Sequence, residues 1–524
     1  MAIDSRIANL RKFKYPRAKI SQLSYESSGE LRISDDNIIK ELPPFCRLLT
    51  VTHTGDDGLV FCEIWLPDDW NGCLVGTGNG GMAGAIAYWG MADPLRGGYA
   101  VVNTDMGTSR GRKSGIGNPD VWKDFGWRAT HIMTEQAKAA IELHYGRPAE
   151  HSYFIGGSTG GQQALAEAQR FPEDYDGIVA GVPANNRTML HTYFLWNHVH
   201  LRTRDGRRMF TRDEITAITD AVTEFFVGRD DAESRLCNQI GGETSVSKLS
   251  NQASGSPNNR GLYNQINGGE PDDNFISLPN NSDENIEAFL AYLKQVHPEY
   301  TSEQLSALRA VYAGPTNPRT GERIYNGMPF GAEIYGCGIY DCQMQESPFY
   351  FPFVWAFGAD CDAYDFDFDK GVDQLNDALA GDVNANNPDL SGFAGHGGKL
   401  IIYSGSADPC VPFPDAMNYC DRVFAKMGGY DRVSEFMRYF LVPGQDHGSG
   451  GRGSNSLSGR DGSLLDTIRL WRERGIAPDA LKASRCVQND GQTKLEFERY
   501  IYPYGSDRFK PEQKSPACCE RYLR

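Results

Sequence analysis

Ser158 stands in the run Gly156-Gly157-Ser158-Thr159-Gly160, between the apolar stretch SYFI and the helix-forming stretch QQALAEAQ. A serine hydroxyl is a poor nucleophile at neutral pH. It needs a base within hydrogen-bond reach and an acid that orients the base. The chain has only 10 histidines, so the search for a base is short. His447 follows the strand-like run MRYFLVPGQD and precedes the loop GSGGRGS, and Asp408 follows KLIIYSGSA. A lone loop histidine is more often a surface residue than a base. Here, however, Ser158, Asp408 and His447 each end a strand-like run and occur in the order nucleophile, acid, base. Asp446 adjoins His447, but neighbours on a loop usually point apart, so Asp408 is the expected orienter.

Attack on a carbonyl leaves a tetrahedral oxyanion that needs two N–H donors. In a G-x-S-x-G turn the residue after the serine supplies one, here Thr159, and the loop after an earlier strand supplies the other. The run GTGNGGMAGA (76–85) follows the strand-like CLV, and its glycines let backbone amides approach an anion without a clashing Cβ. Gly81 is the predicted second donor, with Gly80 beside it. A phosphate cradle is a poor reading of this loop, because it lacks GK[ST] and the acidic partner of a dinucleotide site. Alone, G-x-S-x-G says little in a chain with 58 glycines. Its place between strand and helix gives it weight.

The elements that would position these residues alternate along the chain. Strands are predicted at 46–53, 59–67, 72–78, 98–105, 152–157 and 177–184, with a helix over 127–146 that ends at Gly146. After an interruption, strand 397–409, helix 412–427, strand 437–444 and helix 463–474 follow. Strand–helix alternation implies parallel βαβ units. The predicted class is α/β: an α/β-hydrolase fold with a mainly parallel central sheet and a large inserted lid domain. Its expected divisions are 1–185 and 351–524 for the core and 186–350 for the lid. Within the lid, two amphipathic helices are predicted around 285–296 and 301–314, the second with Ser302 as N-cap. Segment 242–274 is rich in Ser, Asn and Gly and reads as an exposed, mobile excursion.

Composition narrows the function classes. With 524 residues, 40% hydrophobic and 11% aromatic, the chain can bury a sizeable core. A formal net charge of −16 and the lack of a Lys/Arg block argue against a nucleic-acid partner. No apolar run of membrane-spanning length occurs, so no membrane partner is expected. The N-terminal MAIDSRIANLRKFKYPRAKI has no apolar signal region, which favours a cytoplasmic over a secreted location. Among 12 cysteines, Cys337 with Cys342, and Cys486 with Cys518 or Cys519, read equally as bridges or as buried thiols. Oligomeric state is left open.

Long stretches also resemble the tannase and feruloyl esterase family of α/β-hydrolases, which includes mono(2-hydroxyethyl) terephthalate hydrolases. They include WLPDDWNGCLVGTGNGGMAGAI, GYAVVNTDMG, YFIGGSTGGQQAL, LRAVYAGPTNPRTGERIYNGMPFGAE, FDFDKGVDQLN, GGKLIIYSGSADPCVPF and LLDTIRLWRERGIAPDAL, spread over about 46 to 482. The resemblance implies Ser158 as nucleophile, Asp408 as acid and His447 as base, under a lid that covers an aromatic acyl group. Two family features are absent. Members typically join a cysteine before the nucleophile to one beside the histidine, where this chain has Gly157 and Asp446. Members also carry a D-x-x-D-G calcium loop in the lid, which segment 218–237 lacks. No metal and no cofactor are therefore expected, and the acidic run 360–369 reads as solvated or capping.

The resemblance makes the expected activity that of a serine esterase acting on small esters of aromatic acids such as hydroxycinnamates or gallates. Two other readings use the same residues: acyl transfer to an alcohol, and non-catalytic binding on a hydrolase scaffold. The aromatic run SPFYFPFVWAF offers Phe349, Tyr350, Phe351 and Trp355 as candidate acyl-pocket residues, against core packing as the plainer account. Arg319 and Arg323 read as solvent-facing charge rather than as carboxylate ligands.

Overall fold

The computed structural model describes residues 7–227, 269, 273–342, 350–448, 450–489, 492–509 and 522–523. Its centre is a nine-stranded sheet. In chain order the strands are β1 (Ala18–Glu26), β2 (Phe45–His53), β3 (Leu59–Pro67), β4 (Cys73–Thr77), β5 (Ala100–Thr104), β6 (His151–Gly157), β7 (Gly177–Gly181), β8 (Lys399–Gly405) and β9 (Met437–Val442). They lie side by side as β1-β2-β3-β5-β4-β6-β7-β8-β9. The six from β5 to β9 in that order are parallel, and β1, β2 and β3 add on antiparallel.

The parallel strands are buried on both faces, and side chains alternate strictly between them. Leu74, Val102, Phe154, Ile178, Ile402 and Leu441 enter one hydrophobic cluster. Their chain neighbours Val75, Val101, Tyr153, Val179, Ile401 and Phe440 enter the other. The first cluster is closed by α1 (Ala129–Tyr145), α2 (Thr159–Arg170) and a helix over Pro414–Met427. The second is closed by helices Tyr88–Arg96 and Leu464–Arg474. This is the α/β-hydrolase layering that the strand–helix alternation predicts. The last helical turn of α1 ends at Gly146 in the left-handed conformation (φ 74°), as predicted.

Between β7 and β8, which pair directly, the chain makes a helical insertion. It includes α3 (Arg187–Leu201), α4 (Arg212–Phe226), α5 (Asp283–Val296), α6 (Ser302–Ala313), α7 (Phe351–Phe357) and α8 (Lys370–Val383). Sheet residues resume only at Lys399. The insertion thus runs past the expected boundary at 350, because α7 and α8 pack among helices rather than on the sheet. Its hydrophobic core includes Leu190, Tyr193, Val222, Phe289, Leu308 and Tyr312, and it reaches the end of β8 through Cys410 and Val411.

Several features escaped the sequence reading. β1 has no fully buried residue, and its sequence AKISQLSYE is mostly polar, so it carries little apolar signal. The hairpin Glu30–Ser34/Asn37–Lys40 and the sheet Ser456–Ser458, Leu481–Asn489, Gln492–Ile501 were not expected either. Nearly all of segment 242–274 lies outside the described residues, as do 228–237 of the stretch compared with a calcium loop. Cys342 and Cys486 are thiols, so Cys337 does not bridge to Cys342, and Cys518 and Cys519 lie outside the described residues.

The cap of α6 is Thr301, not Ser302. The Thr301 side chain accepts from Gln304 N (3.1 Å), and the Gln304 side chain accepts from Thr301 N (3.0 Å). Such a reciprocal box satisfies two otherwise orphaned amides. Thr301→Ala is expected to destabilise the protein by about 1 kcal/mol and Ser302→Ala by less than about 0.5 kcal/mol, read from paired thermal melts.

Candidate active site

Ser158 occupies the turn from β6 into α2 with φ 61° and ψ −118°. L side chains rarely adopt such a backbone, and it costs about 1–3 kcal/mol unless its surroundings enforce it. They do. Ser158 N donates to Gly181 O (2.9 Å), and Ser158 O accepts from Gln162 N and Ala184 N (3.1 Å each). The end of β7 therefore grips the serine from both sides of its peptide unit.

Glycines close the corner. A Cβ on Gly156 would lie 2.5 Å from Gly160 O, one on Gly78 2.5 Å from Gly160 Cα, and one on Gly160 2.9 Å from Gly78 Cα. The ends of β4 and β6 and the first turn of α2 thus meet backbone to backbone. Gly157 is different: its Cβ would find nothing nearer than Gly181 O at 3.7 Å.

The three predicted residues come together. Ser158 Oγ lies 3.0 Å from His447 Nε2, and His447 Nδ1 lies 2.8 Å from Asp408 Oδ2. A carboxylate only accepts, so Nδ1 carries the proton and Nε2 is left to accept from the serine. Asp408 is fully buried. Its other oxygen accepts from Cys410 N (2.7 Å) and Val411 N (2.9 Å), which fixes the carboxylate plane. Burial disfavours the His447 imidazolium. The charge of Asp408 and its hydrogen bond more than offset this, with Cys337 and Asp446 adding, so the pKa is raised above 6.5. Asp446 does not orient the imidazole. Its Oδ1 accepts from Gly448 N (3.1 Å) and Gly450 N (2.9 Å), tying down the histidine loop.

The loop after β4 faces the elbow. Gly160 N donates to Asn79 O (2.8 Å), and Asn79 N donates to Gln163 Oε1 (2.8 Å), so the loop is pinned to the first turn of α2. The Asn79 side chain donates to Ala85 O (3.1 Å) and Thr104 O (2.8 Å), holding the loop's own curve. Gly81 has φ 59° and its carbonyl accepts from Thr159 Oγ1 at 2.6 Å. Thr159 opens α2, so its amide has no carbonyl four residues back to receive it. The two predicted donor residues are thus in direct contact.

Residues 46–508 match the family described as tannase and feruloyl esterase. The chain belongs to the tannase and feruloyl esterase family. As a member it is a carboxylic-ester hydrolase. It is 28% identical to an uncharacterized esterase of Xanthomonas campestris, over 92% of this chain and 84% of that one. It is 29% identical to a probable feruloyl esterase B-1 of Neosartorya fischeri, over 88% and 82%. Among solved structures, feruloyl esterase B from Aspergillus oryzae superposes with a TM-score of 0.76 at 23% identity, covering 96% of each chain. Tannin acyl hydrolase from Aspergillus niger gives 0.64 at 17% identity, over 97% and 93%. The last two likenesses establish the fold.

The aromatic run of this esterase is core. Tyr350, Phe351 and Trp355 are buried together with Phe125, Met106 and Leu379. Trp355 Nε1 donates to Arg112 O (2.7 Å), which fixes the indole. Packing between α7 and the loops after β5, not an open acyl wall, accounts for these three. Phe349 lies outside the described residues. Arg319 is 63% exposed and pairs with Asp369, and Arg323 pairs with Asp283. In the acidic run, Asp362 caps a helical turn by accepting from Tyr364 N (2.8 Å).

Among the described residues, His131, Glu167 and Asp174 bring possible metal ligands together. Both oxygens of Asp174 are already engaged, by His131 Nδ1 (2.7 Å) and Lys138 Nζ (3.0 Å), so the group is an ion-pair network.

Sequence reasoning missed Arg187, Gln162 and Gln163 behind the elbow. The available signal was position: Arg187 follows GIVAGVPANN, another strand end on the same sheet edge. Gly157→Ala is expected to keep stability within about 0.5 kcal/mol of wild type, whereas Gly156→Ala should cost about 1–3 kcal/mol by overpacking. Paired thermal melts decide, and equal effects of the two substitutions would contradict the close-approach account.

Proposed function

We propose that the protein is a serine esterase that cleaves esters of aromatic acids, hydroxycinnamates or gallates among them, through an acyl-enzyme on Ser158. The observation that carries this reading is the unbroken hydrogen-bond line from Ser158 Oγ through His447 to the buried Asp408, at 3.0 and 2.8 Å. The names of the relatives, feruloyl esterase and tannin acyl hydrolase, support the aromatic acyl class.

In this reading His447 Nε2 takes the Ser158 proton as Oγ attacks the ester carbonyl. The imidazolium is stabilised by Asp408, and the amides of Thr159 and Gly81 receive the oxyanion. His447 then gives its proton to the departing alcohol. Water, deprotonated by the same imidazole, releases the acid and frees Ser158.

A fluorophosphonate should label Ser158 stoichiometrically. On a panel of methyl ferulate, methyl gallate, chlorogenate and terephthalate monoesters, wild type should turn over at least one, and Ser158→Ala should lose about 10³-fold or more. Retained activity in Ser158→Ala would contradict the reading. Added alcohol tests transfer: an ester product in place of the free acid would assign acyl transfer instead.

The pH dependence follows from the raised pKa of His447. Catalysis needs the neutral imidazole, so kcat/KM rises as pH climbs through that pKa. The acid limb should lie above 6.5, the ordinary value for histidine. Asp408→Asn removes the stabilising charge, so the limb should move down in pH while kcat falls by up to about 10⁴-fold. A limb that stays in place in Asp408→Asn would show that another group sets it.

A further inference from the structure

Arg187 is the first residue of α3, and its side chain is buried, with the residue only 2% exposed. Its Nε donates to Gln162 Oε1 (2.7 Å), its Nη2 donates to the same oxygen, and Nη2 also donates to Thr159 Oγ1 (3.1 Å). The guanidinium lies 5.4 Å from the ring centre of Phe125. Every one of these partners is neutral. Among the described residues no carboxylate pairs with it.

Such a cation is costly. Burial without a counter-charge is unfavourable, and a positive group in the first turn of a helix opposes the helix dipole. Burial pushes the Arg187 pKa down to about 9, with Cys410 and Tyr325 opposing the shift. The group still carries its charge at neutral pH.

What the charge reaches is specific. Thr159 Oγ1 accepts from Arg187 and donates onward to Gly81 O at 2.6 Å. One hydroxyl therefore connects the guanidinium to Thr159 and Gly81, the two residues predicted to supply the oxyanion donors. Gln162, the other partner, is held in turn through its Nε2, which donates to Val383 O at 2.9 Å.

We propose that Arg187 is a positioning residue for the oxyanion site: it locks Thr159 and, through the Thr159 hydroxyl, Gly81, and its uncompensated positive charge favours the negative oxygen that forms between their amides. The proposal rests on the esterase reading above. Arg187 acts through Thr159 and does not touch the substrate. Its effect belongs to the tetrahedral state, in which charge has developed, and not to the neutral bound ester.

The test compares wild type with Arg187→Met, Arg187→Lys and Thr159→Val on a neutral chromogenic aryl ester. It also measures inhibition by an aryl trifluoromethyl ketone, which adds to the serine as a tetrahedral oxyanion. Arg187→Met should lower kcat by about 10- to 100-fold, short of the loss of a direct donor, and weaken the ketone by a similar factor. KM should stay within about twofold, because uniform binding is untouched. Stability should change little, since removal of an unpaired buried charge offsets the loss of the donor to Gln162 Oε1. Arg187→Lys should recover part of kcat.

Thr159→Val keeps the amide but breaks the relay, so it should show the same pattern. The double variant should lose less than the product of the two single losses, because both act on one connection. Thr159→Val also decides the matter if Arg187→Met does not fold: full activity and unchanged ketone affinity in Thr159→Val would overturn the proposal. So would a parallel loss of stability, KM and ketone affinity in Arg187→Met, which marks a purely structural role. A rise in KM confined to carboxylate-bearing esters would overturn it as well, by assigning Arg187 to substrate binding. Failure of the underlying esterase reading looks different: wild type itself would neither turn over esters nor bind the ketone.

Discussion

Everything at the site depends on one strained peptide unit. Ser158 holds a positive φ only because β7 receives its amide, the segment after β7 and the first turn of α2 donate to its carbonyl, and three glycines let backbone touch backbone at 78, 156 and 160. That corner brings the hydroxyl to 3.0 Å from His447 Nε2 and sets Thr159, the first residue of α2, against the loop after β4. The same glycines fix how far that loop sits from the serine. The distance between Ser158 and the loop that carries Gly81 is therefore set by backbone packing, not by side-chain rotamers.

The electrostatics are layered on that frame. Asp408 is fully buried yet well supplied with donors, two amides on one oxygen and the imidazole on the other. Its charge raises the His447 pKa against the effect of burial. Behind the serine stands a second buried charge, Arg187, of opposite sign and with neutral partners only. Negative charge thus lies beside His447 and positive charge beside Thr159; in the proposed mechanism imidazolium forms at the first and the oxyanion at the second. No thiol stands at 157 or 446. The histidine loop is held instead by the Asp446 carboxylate and its two amides.

Much of this was legible in the sequence, and the reasons are physical. Strands buried on both faces are continuous apolar runs bounded by polar turns, so CLVGT, AVVNT, GIVAG and KLIIYSG declared themselves. The grouping of Ser158, Asp408 and His447 was legible because each of the three ends such a run. What was hidden lacked a local signature. β1 is half-exposed and pairs only through distant β2. The extent of the insertion was hidden because α7 and α8 have the same local pattern as core helices. The aromatic run around Trp355 could not be divided between pocket and core, since the same residue types serve both. Arg187 reads as an ordinary surface arginine until the fold buries it against Gln162.

Acylation of Ser158 can be followed by rapid-quench kinetics with methyl ferulate or another ester that is turned over. A burst of about one equivalent of alcohol per protein is expected, with the acyl mass found on the peptide that contains Ser158. An acyl adduct on a different residue, or turnover with no adduct and no burst even when deacylation is slowed, would contradict it.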